Sequence, residues 1–453
     1  MCDKRFAKTM TNRKGFHMSL ASYLACVAYL VFSVPVFAQD RDIFEPEVVL
    51  VTLEDAIQRA VMVSPQIAQA EQNVLSAGES RRTAVGSFLP TISTGSGMSV
   101  RSTNRFDPGT DRIVSGSSNS YNANINARYN LFQGGQRFSE LSRAKADYVA
   151  AEALRKDQDF NVIFQTKNLF FQALRQQELR EVARLRIDQA TQSLEMTRMR
   201  QQLGGGTVSD TLRARLELIN ARQALLTAEN ETQIARFGLG RQMGMSEPIA
   251  PVIPEDLDPT PLGLEQIEVL RIAESESPSV VAANANLTAA ERAYSSAKAS
   301  YLPTFSLNSG YSWSNQQASF EQGLTSWNFN FNMSYPLFNG FSREASVVRA
   351  ESTAYVARLQ EDDARRGARQ EADAAIRFLE TSEMAIDIAG EALLVANEDL
   401  RVTRERYRVG VAIILDVVTS QIAVDQARVD LVNSRYDYVL ARAELEAILG
   451  MEL

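Results

Sequence analysis

Between Tyr121 and Leu131 apolar and polar residues alternate without a break. Tyr121, Ala123, Ile125, Ala127, Tyr129 and Leu131 fall on one side, and Asn122, Asn124, Asn126, Arg128 and Asn130 on the other. A period of two predicts a strand with one apolar and one polar face. Trp327, Phe329, Phe331, Met333, Tyr335 and Leu337 alternate with Asn328, Asn330, Asn332 and Ser334 in the same way, as do Phe305, Leu307, Tyr311 and Trp313 with their neighbours. These runs predict two β-hairpins, over about 88–132 and about 301–338. The period then lengthens to three and four. Residues 137–203 contain no Gly and no Pro in 67 positions, which predicts a helix of about 100 Å. Residues 343–409 predict its counterpart, weakened by Gly367 and Gly390. Each long helix ends at a glycine turn and is followed by a returning helix, over 210–237 and 416–449. In the second of these Val432, Tyr436, Val439 and Ala443 mark one face. Upstream helices over about 53–86 and 264–300 each end at a proline that opens a hairpin.

The same order of elements occurs twice because the chain repeats itself. Tyr129-x-Leu131-Phe132-x-Gly134 recurs 206 residues later as Tyr335-x-Leu337-Phe338-x-Gly340, and at that offset Gly204 meets Gly410 and Asp210 meets Asp416. Upstream the offset is 213, with Ser64-Pro65 matching Ser277-Pro278 and Leu89-Pro90-Thr91 matching Leu302-Pro303-Thr304. The seven-residue difference is expected in a loop over 102–118, where insertions are tolerated. The first repeat spans 39–245 and the second 264–453. An extended connector over 246–263 holds five of the thirteen prolines. In each repeat the returning and pre-strand helices together match one long helix in length. They are expected to stack end to end beside it, with the break at mid-length.

Composition narrows the chemistry. The only His is His17 and the only Cys are Cys2 and Cys26. All three lie in a segment that reads as a signal peptide over 1–38, with Lys4, Arg5, Lys8, Arg13 and Lys14 before an apolar run and Val36-Phe37-Ala38 at its end. The remainder has no His and no Cys, so no Ser-His-Asp or Cys-His catalysis, no His- or Cys-ligated metal and no disulfide framework is expected, and no cofactor. Without residues 1–38, 42 Lys and Arg stand against 54 Asp and Glu, a net charge of −12. The basic residues are interspersed with acids, which argues against nucleic acid. No apolar run beyond residue 38 is long enough for a membrane helix, so a membrane-spanning form has to be a β-barrel.

Four strands cannot close a barrel, and an open edge in lipid leaves backbone groups unpaired. Copies must assemble: two give eight strands with a filled interior, three give twelve with room for a channel. The fold class expected is an α+β membrane protein, an oligomeric transmembrane β-barrel with four strands per chain, continued by a long tube of helices. Asn124, Asn126, Asn328 and Asn330 are expected to line the pore, with Trp313 and Trp327 as membrane-interface anchors.

The duplicated helix–Ser-Pro, Phe/Tyr-Leu-Pro, Tyr-x-Leu-Phe-x-Gly and Gly-x-x-x-x-x-Asp series resembles the TolC-type outer membrane efflux proteins. No single motif is specific, but their order, duplication and spacing together are. The resemblance implies a homotrimer with a twelve-stranded barrel in outer membrane lipid and a long periplasmic α-helical barrel, working with a periplasmic adaptor and an inner-membrane pump or ABC transporter and exporting small toxic compounds or, in type I secretion, proteins. It implies a periplasmic gate at Ser209, Asp210, Asp416 and Tyr407, and adaptor-docking tips at Gly204, Gly205, Val409 and Gly410. Two positions depart from the family pattern. Ala412 stands where the family has a turn arginine, and Thr419 where it has a second acid. N-capping of the returning helices is the simpler role for Asp210 and Asp416. Arg198, Arg200, Arg404 and Arg406 are expected as solvated charges near the tips. A trimeric coiled-coil adhesin is the alternative, but there the four strands are consecutive and C-terminal.

Overall fold

A computed structural model describes residues 49–109, 111–254 and 262–453. The expected signal peptide and residues 255–261 of the connector lie outside the described residues. The chain runs β1 (Val49–Val51), α1 (Leu53–Val63), α2 (Pro65–Gly86), β2 (Thr91–Asp107), β3 (Arg112–Gln133), α3 (Gln136–Gln202) and α4 (Val208–Gln242). It continues with β4 (Ile249–Pro251), α5 (Gln266–Glu276), α6 (Pro278–Ala299), β5 (Thr304–Asn315), β6 (Leu324–Ser334), α7 (Ser342–Arg408) and α8 (Ile414–Leu449).

The helix expected over 53–86 is two helices, because Ser64 turns extended and accepts the Ile67 N–H through its side chain while Pro65 opens α2. Ser277-Pro278 makes the same break between α5 and α6. The helices α2 and α4 pack on α3 one after the other. Arg155 of α3 faces Glu71 of α2, whereas Thr232 of α4 donates to the Gln176 carbonyl of α3. At the middle of α3, buried Phe170, Phe171 and Leu174 form a core with Val51, Leu239, Met243, Ile249 and Tyr436. There β1 pairs in parallel with β4, so part of the expected extended connector is a short strand. A second core joins Val269 and Ile272 of α5 to Ala375 and Ile376 of α7 and Leu445 of α8. Alanines recur along these seams and let the helix axes approach closely.

The strands β2, β3, β5 and β6 form one antiparallel sheet in that order. The two hairpins therefore join through β3 and β5. The loop expected over 102–118 is instead strand up to Asp107 and from Arg112 onward, with turn residues Pro108, Gly109 and Asp111 between them and with Ser102 opposite Ser117 and Asp107 opposite Arg112. Its Ser, Thr, Asn and Gly content reads as loop locally, yet ladder pairing carries the strands through. The ribbon passes beyond the last β3–β5 pair, Tyr121 with Asn315, by nine residues, or about 30 Å. The second hairpin is shorter than its pattern: β6 stops at Ser334, and Tyr335 and Leu337 lie outside it. Pro336, which has no N–H for a ladder, marks the stop. The Tyr-x-Leu-Phe-x-Gly motif ends in the turn into the long helix, where Gly134 has φ +61 and Gly340 φ +66.

Candidate functional site: the sheet faces and the helical tips

Register divides the sheet into two faces. Asn124 lies opposite Gly95 and Ser312, while Asn126 lies opposite Ser93 and Gly310. Gly310 and Asn308 in turn face Asn328 and Asn330. All four asparagines expected to line a pore thus share one face. The asparagines close in over the glycine between them: a Cβ on Gly310 would stand 2.5 Å from Asn328 Oδ1 and 3.0 Å from Asn126 Oδ1, so these side chains would have to turn away. The opposite face carries Ile92, Ile125, Tyr311, Trp327, Phe329, Phe331 and Met333, all exposed, with Trp327 at 77%. Phe305 stacks on Phe331 at 5.8 Å. Leu307 and half-buried Trp313 continue this face along β5. No helix among the described residues is long and apolar enough to cross a membrane.

The far ends of the helices form two tips. The first turn is a glycine-closed cap: Gly204 (φ +77) donates to the Gln201 carbonyl and Gly205 to that of Arg200. The second repeats it, with Gly410 (φ +90) donating to Tyr407 O and Val411 to Arg406 O. Leu203, Val208, Val409, Val411 and Ile413 are exposed around these turns.

Both predicted gate carboxylates cap the helices that follow. Asp210 accepts from Thr207 N at 3.1 Å while Thr207 Oγ1 accepts from Asp210 N at 3.2 Å, a reciprocal capping box. Asp416 accepts from Ile413 N at 3.1 Å, but Ile413 has no side-chain acceptor, so its carbonyl takes the Asp416 N–H. Ser209 and Asp416 are exposed and Asp210 is half-buried. Tyr407 is 2% exposed in a cluster with Leu400, Ala412, Ile414 and Val417, and its hydroxyl has no hydrogen-bond partner. Burial pushes its pKa up, nearby Asp210 adds to the rise, and Arg200 opposes it.

The arginines correct the expectation of four solvated charges. Arg200 is half-buried and donates to the main-chain oxygen of Tyr407, with its guanidinium 4.6 Å from that ring's centre. The carbonyls at a helix C-terminus attract a cation, and α7 ends one residue later. Arg404 is also half-buried, and burial lowers its pKa. Arg198 and Arg406 are exposed.

Above Arg200 a ladder of polar links joins α3 to α8. Lys167 meets Glu446 at 2.5 Å, Arg175 meets Asp437 at 2.6 Å, and Tyr436 donates to Glu178 at 2.8 Å. Arg186 lies 3.5 Å from Asp425, and Gln421 donates to Ser193 at 2.7 Å. From Lys167 to Ser193 the contacts advance 26 residues along α3 while their partners retreat 25 along α8, from Glu446 to Gln421, so the two helices run antiparallel in register. Nothing in the sequence pattern of either helix alone marks these partners. Among the described residues no cluster of His, Cys, Asp and Glu could hold a metal.

A sheet with one apolar and one polar face, carried on paired helices about 100 Å long, defines a membrane-anchored duct protein. Residues 56–245 and 269–451 each match the sequence profile of the outer membrane efflux proteins, and the chain belongs to that family. It is an outer membrane protein with a long periplasmic portion, and its family is one of channel proteins. The outer membrane protein TolC of Vibrio cholerae is 22% identical over 405 residues, covering 88% of this chain and 90% of its own length. The alkaline protease secretion protein AprF of Pseudomonas aeruginosa is 24% identical over 347 residues, covering 73% and 70%. The crystal structure of the outer membrane protein VceC from Vibrio cholerae shares the fold with a TM-score of 0.75 at 18% identity, covering 88% of this chain and 96% of that one.

Proposed function

We infer that three copies of this chain close a twelve-stranded barrel in the outer membrane, continued by a periplasmic helical tube, and serve as the exit duct of a tripartite efflux or type I secretion system. The observation that carries the reading is the sheet. Its apolar face is exposed and its outer strands β2 and β6 have no further partner among the described residues. In lipid those backbone groups must pair, and β6 of one copy against the next copy's β2 completes the ladder. From Phe305 to Trp313 the apolar face covers about 27 Å along the strand, which at barrel tilt supplies about 20 Å of the usual ~25 Å band. Asn124, Asn126, Asn328 and Asn330 then line the water-filled side.

The helical tips form the periplasmic gate, with Ser209, Asp210, Asp416 and Tyr407 at the closure. Ala412 removes the family's turn arginine, and Arg200 supplies a cation beside Tyr407 in its place. The exposed apolar residues around Gly204, Gly205, Val409 and Gly410 are the surface for the periplasmic adaptor, which couples the duct to an inner-membrane pump or ABC transporter. Likeness to an efflux family and to a protease-secretion protein supports small toxic compounds or proteins as cargo.

Purification from outer membranes tests this reading. A detergent-stable trimer that forms ion-conducting pores in planar bilayers is expected. A monomer that leaves the membrane with salt alone would overturn it.

A further inference from the structure

Asp425 is the weakest link in the α3–α8 ladder. It is 7% exposed and its Oδ1 is buried without a hydrogen-bond partner. The nearest cations are Arg186 Nε at 3.5 Å and Arg428 Nη1 at 3.8 Å, too far for good hydrogen bonds. Arg186 is committed elsewhere: it donates from Nε at 3.1 Å and from Nη2 at 2.7 Å to Glu217 of α4. The charged groups that face Asp425 are Arg186 from α3, Glu217 from α4, Arg404 from α7 and Arg428 on its own helix. Arg404 is half-buried and its Nη2 has no partner. A carboxylate removed from water with neither a hydrogen bond nor a close ion pair is relieved by taking up a proton.

We propose that Asp425 makes the join between the two helical hairpins proton-sensitive, so that acid holds the α3–α8 seam shut and neutral pH loosens it. The seam is a property of the single chain. Only its consequence for the gate rests on the duct reading.

The sign follows from the two environments. In the closed seam burial, the largest cause, raises Asp425 to about 6 against the pull of Arg186 and Arg428, with Glu217 adding to the rise. When the hairpins part and the carboxyl is hydrated, it returns toward its ordinary 3.8. The closed seam therefore binds a proton that the open one does not. Its extra stability is complete below the ordinary value and is lost as pH rises through about 6. Between pH 5 and pH 7 the closed-to-open ratio falls about tenfold.

Hydrogen–deuterium exchange on the full protein in detergent, corrected for intrinsic pH dependence, reads the seam directly. In peptides covering 186–200 and 414–428, protection about tenfold higher at pH 5 than at pH 7 is expected. Asp425→Asn should hold the acid level at both pH values. Glu217→Gln frees Arg186 for Asp425 and should move the transition to lower pH. Equal protection at both pH values in the parent, or an unchanged pH dependence in Asp425→Asn, overturns the proposal. Should Asp425→Asn fail to fold, the parent titration still decides, since a midpoint far from pH 6 is incompatible with this carboxyl. Bilayer conductance of the same samples separates the two readings. A protection shift without a channel removes the duct and leaves the switch, whereas a channel without the shift removes the switch alone.

Discussion

Arg200, in the last turn of α3, grips Tyr407, in the last turn of α7, by both its main-chain oxygen and its ring. The contact joins the two hairpin tips within one chain. A charge-assisted hydrogen bond and a cation–π contact together make it worth about 2–3 kcal/mol. Arg200→Ala should free the tips and raise basal conductance at least several-fold. Arg200→Lys, which cannot hold the planar geometry on ring and carbonyl together, should fall between the two. Unchanged conductance in both variants would place the closure elsewhere.

The two sheet faces should differ in access to water. Cysteine at Asn124 or Asn330 should react with a small charged thiol reagent, while cysteine at Ile125 or Phe331 should not. The described residues contain no Cys, so their background is clean. Equal labelling of both sets would remove the barrel assignment.

At the tips, turn geometry and docking can be separated. Gly204→Val and Gly410→Val force a branched residue to positive φ and should destabilise each turn by about 1–2 kcal/mol. Leu203→Asp and Val409→Asp leave the glycine turns intact. They should abolish export in cells while the purified trimer melts normally. Full export by both aspartate variants would remove these residues from the adaptor surface.

Each Asp at the tips caps a helix, and in a trimer the six carboxylates would surround one opening. Acidic rings favour cations. Asp210→Asn with Asp416→Asn should reduce cation selectivity and remove block by a trivalent cation added from the periplasmic side, each single variant doing part of this. A double variant that conducts and blocks like the parent would leave the carboxylates as caps alone.

The hairpin and long-helix elements were legible because their patterns are local. Strict alternation from Tyr121 to Leu131 marks β3, and the absence of Gly and Pro from Arg137 to Leu203 marks α3. The pairing of β3 with β5 was not legible, since it joins residues almost 200 positions apart. Ser102 to Ser118 misled because polar, small residues look alike in loops and in a solvated ribbon. Arg200 and Asp425 were unreadable for another reason. On one helix each is an ordinary charged residue, and only the helix packed against it decides whether it is solvated.

The rungs of the α3–α8 ladder decide which motions are cheap. A lengthwise slip by one helical turn, about 5.4 Å, breaks every rung together. Splaying from the tip breaks them singly, with Lys167 and Glu446 as the fulcrum. From Lys167 to Arg200 the lever arm is about 50 Å at 1.5 Å per residue, so a tilt of about 5° carries the tip about 4 Å. The pair works as tweezers, in which a small rotation deep in the tube becomes a large excursion at its mouth.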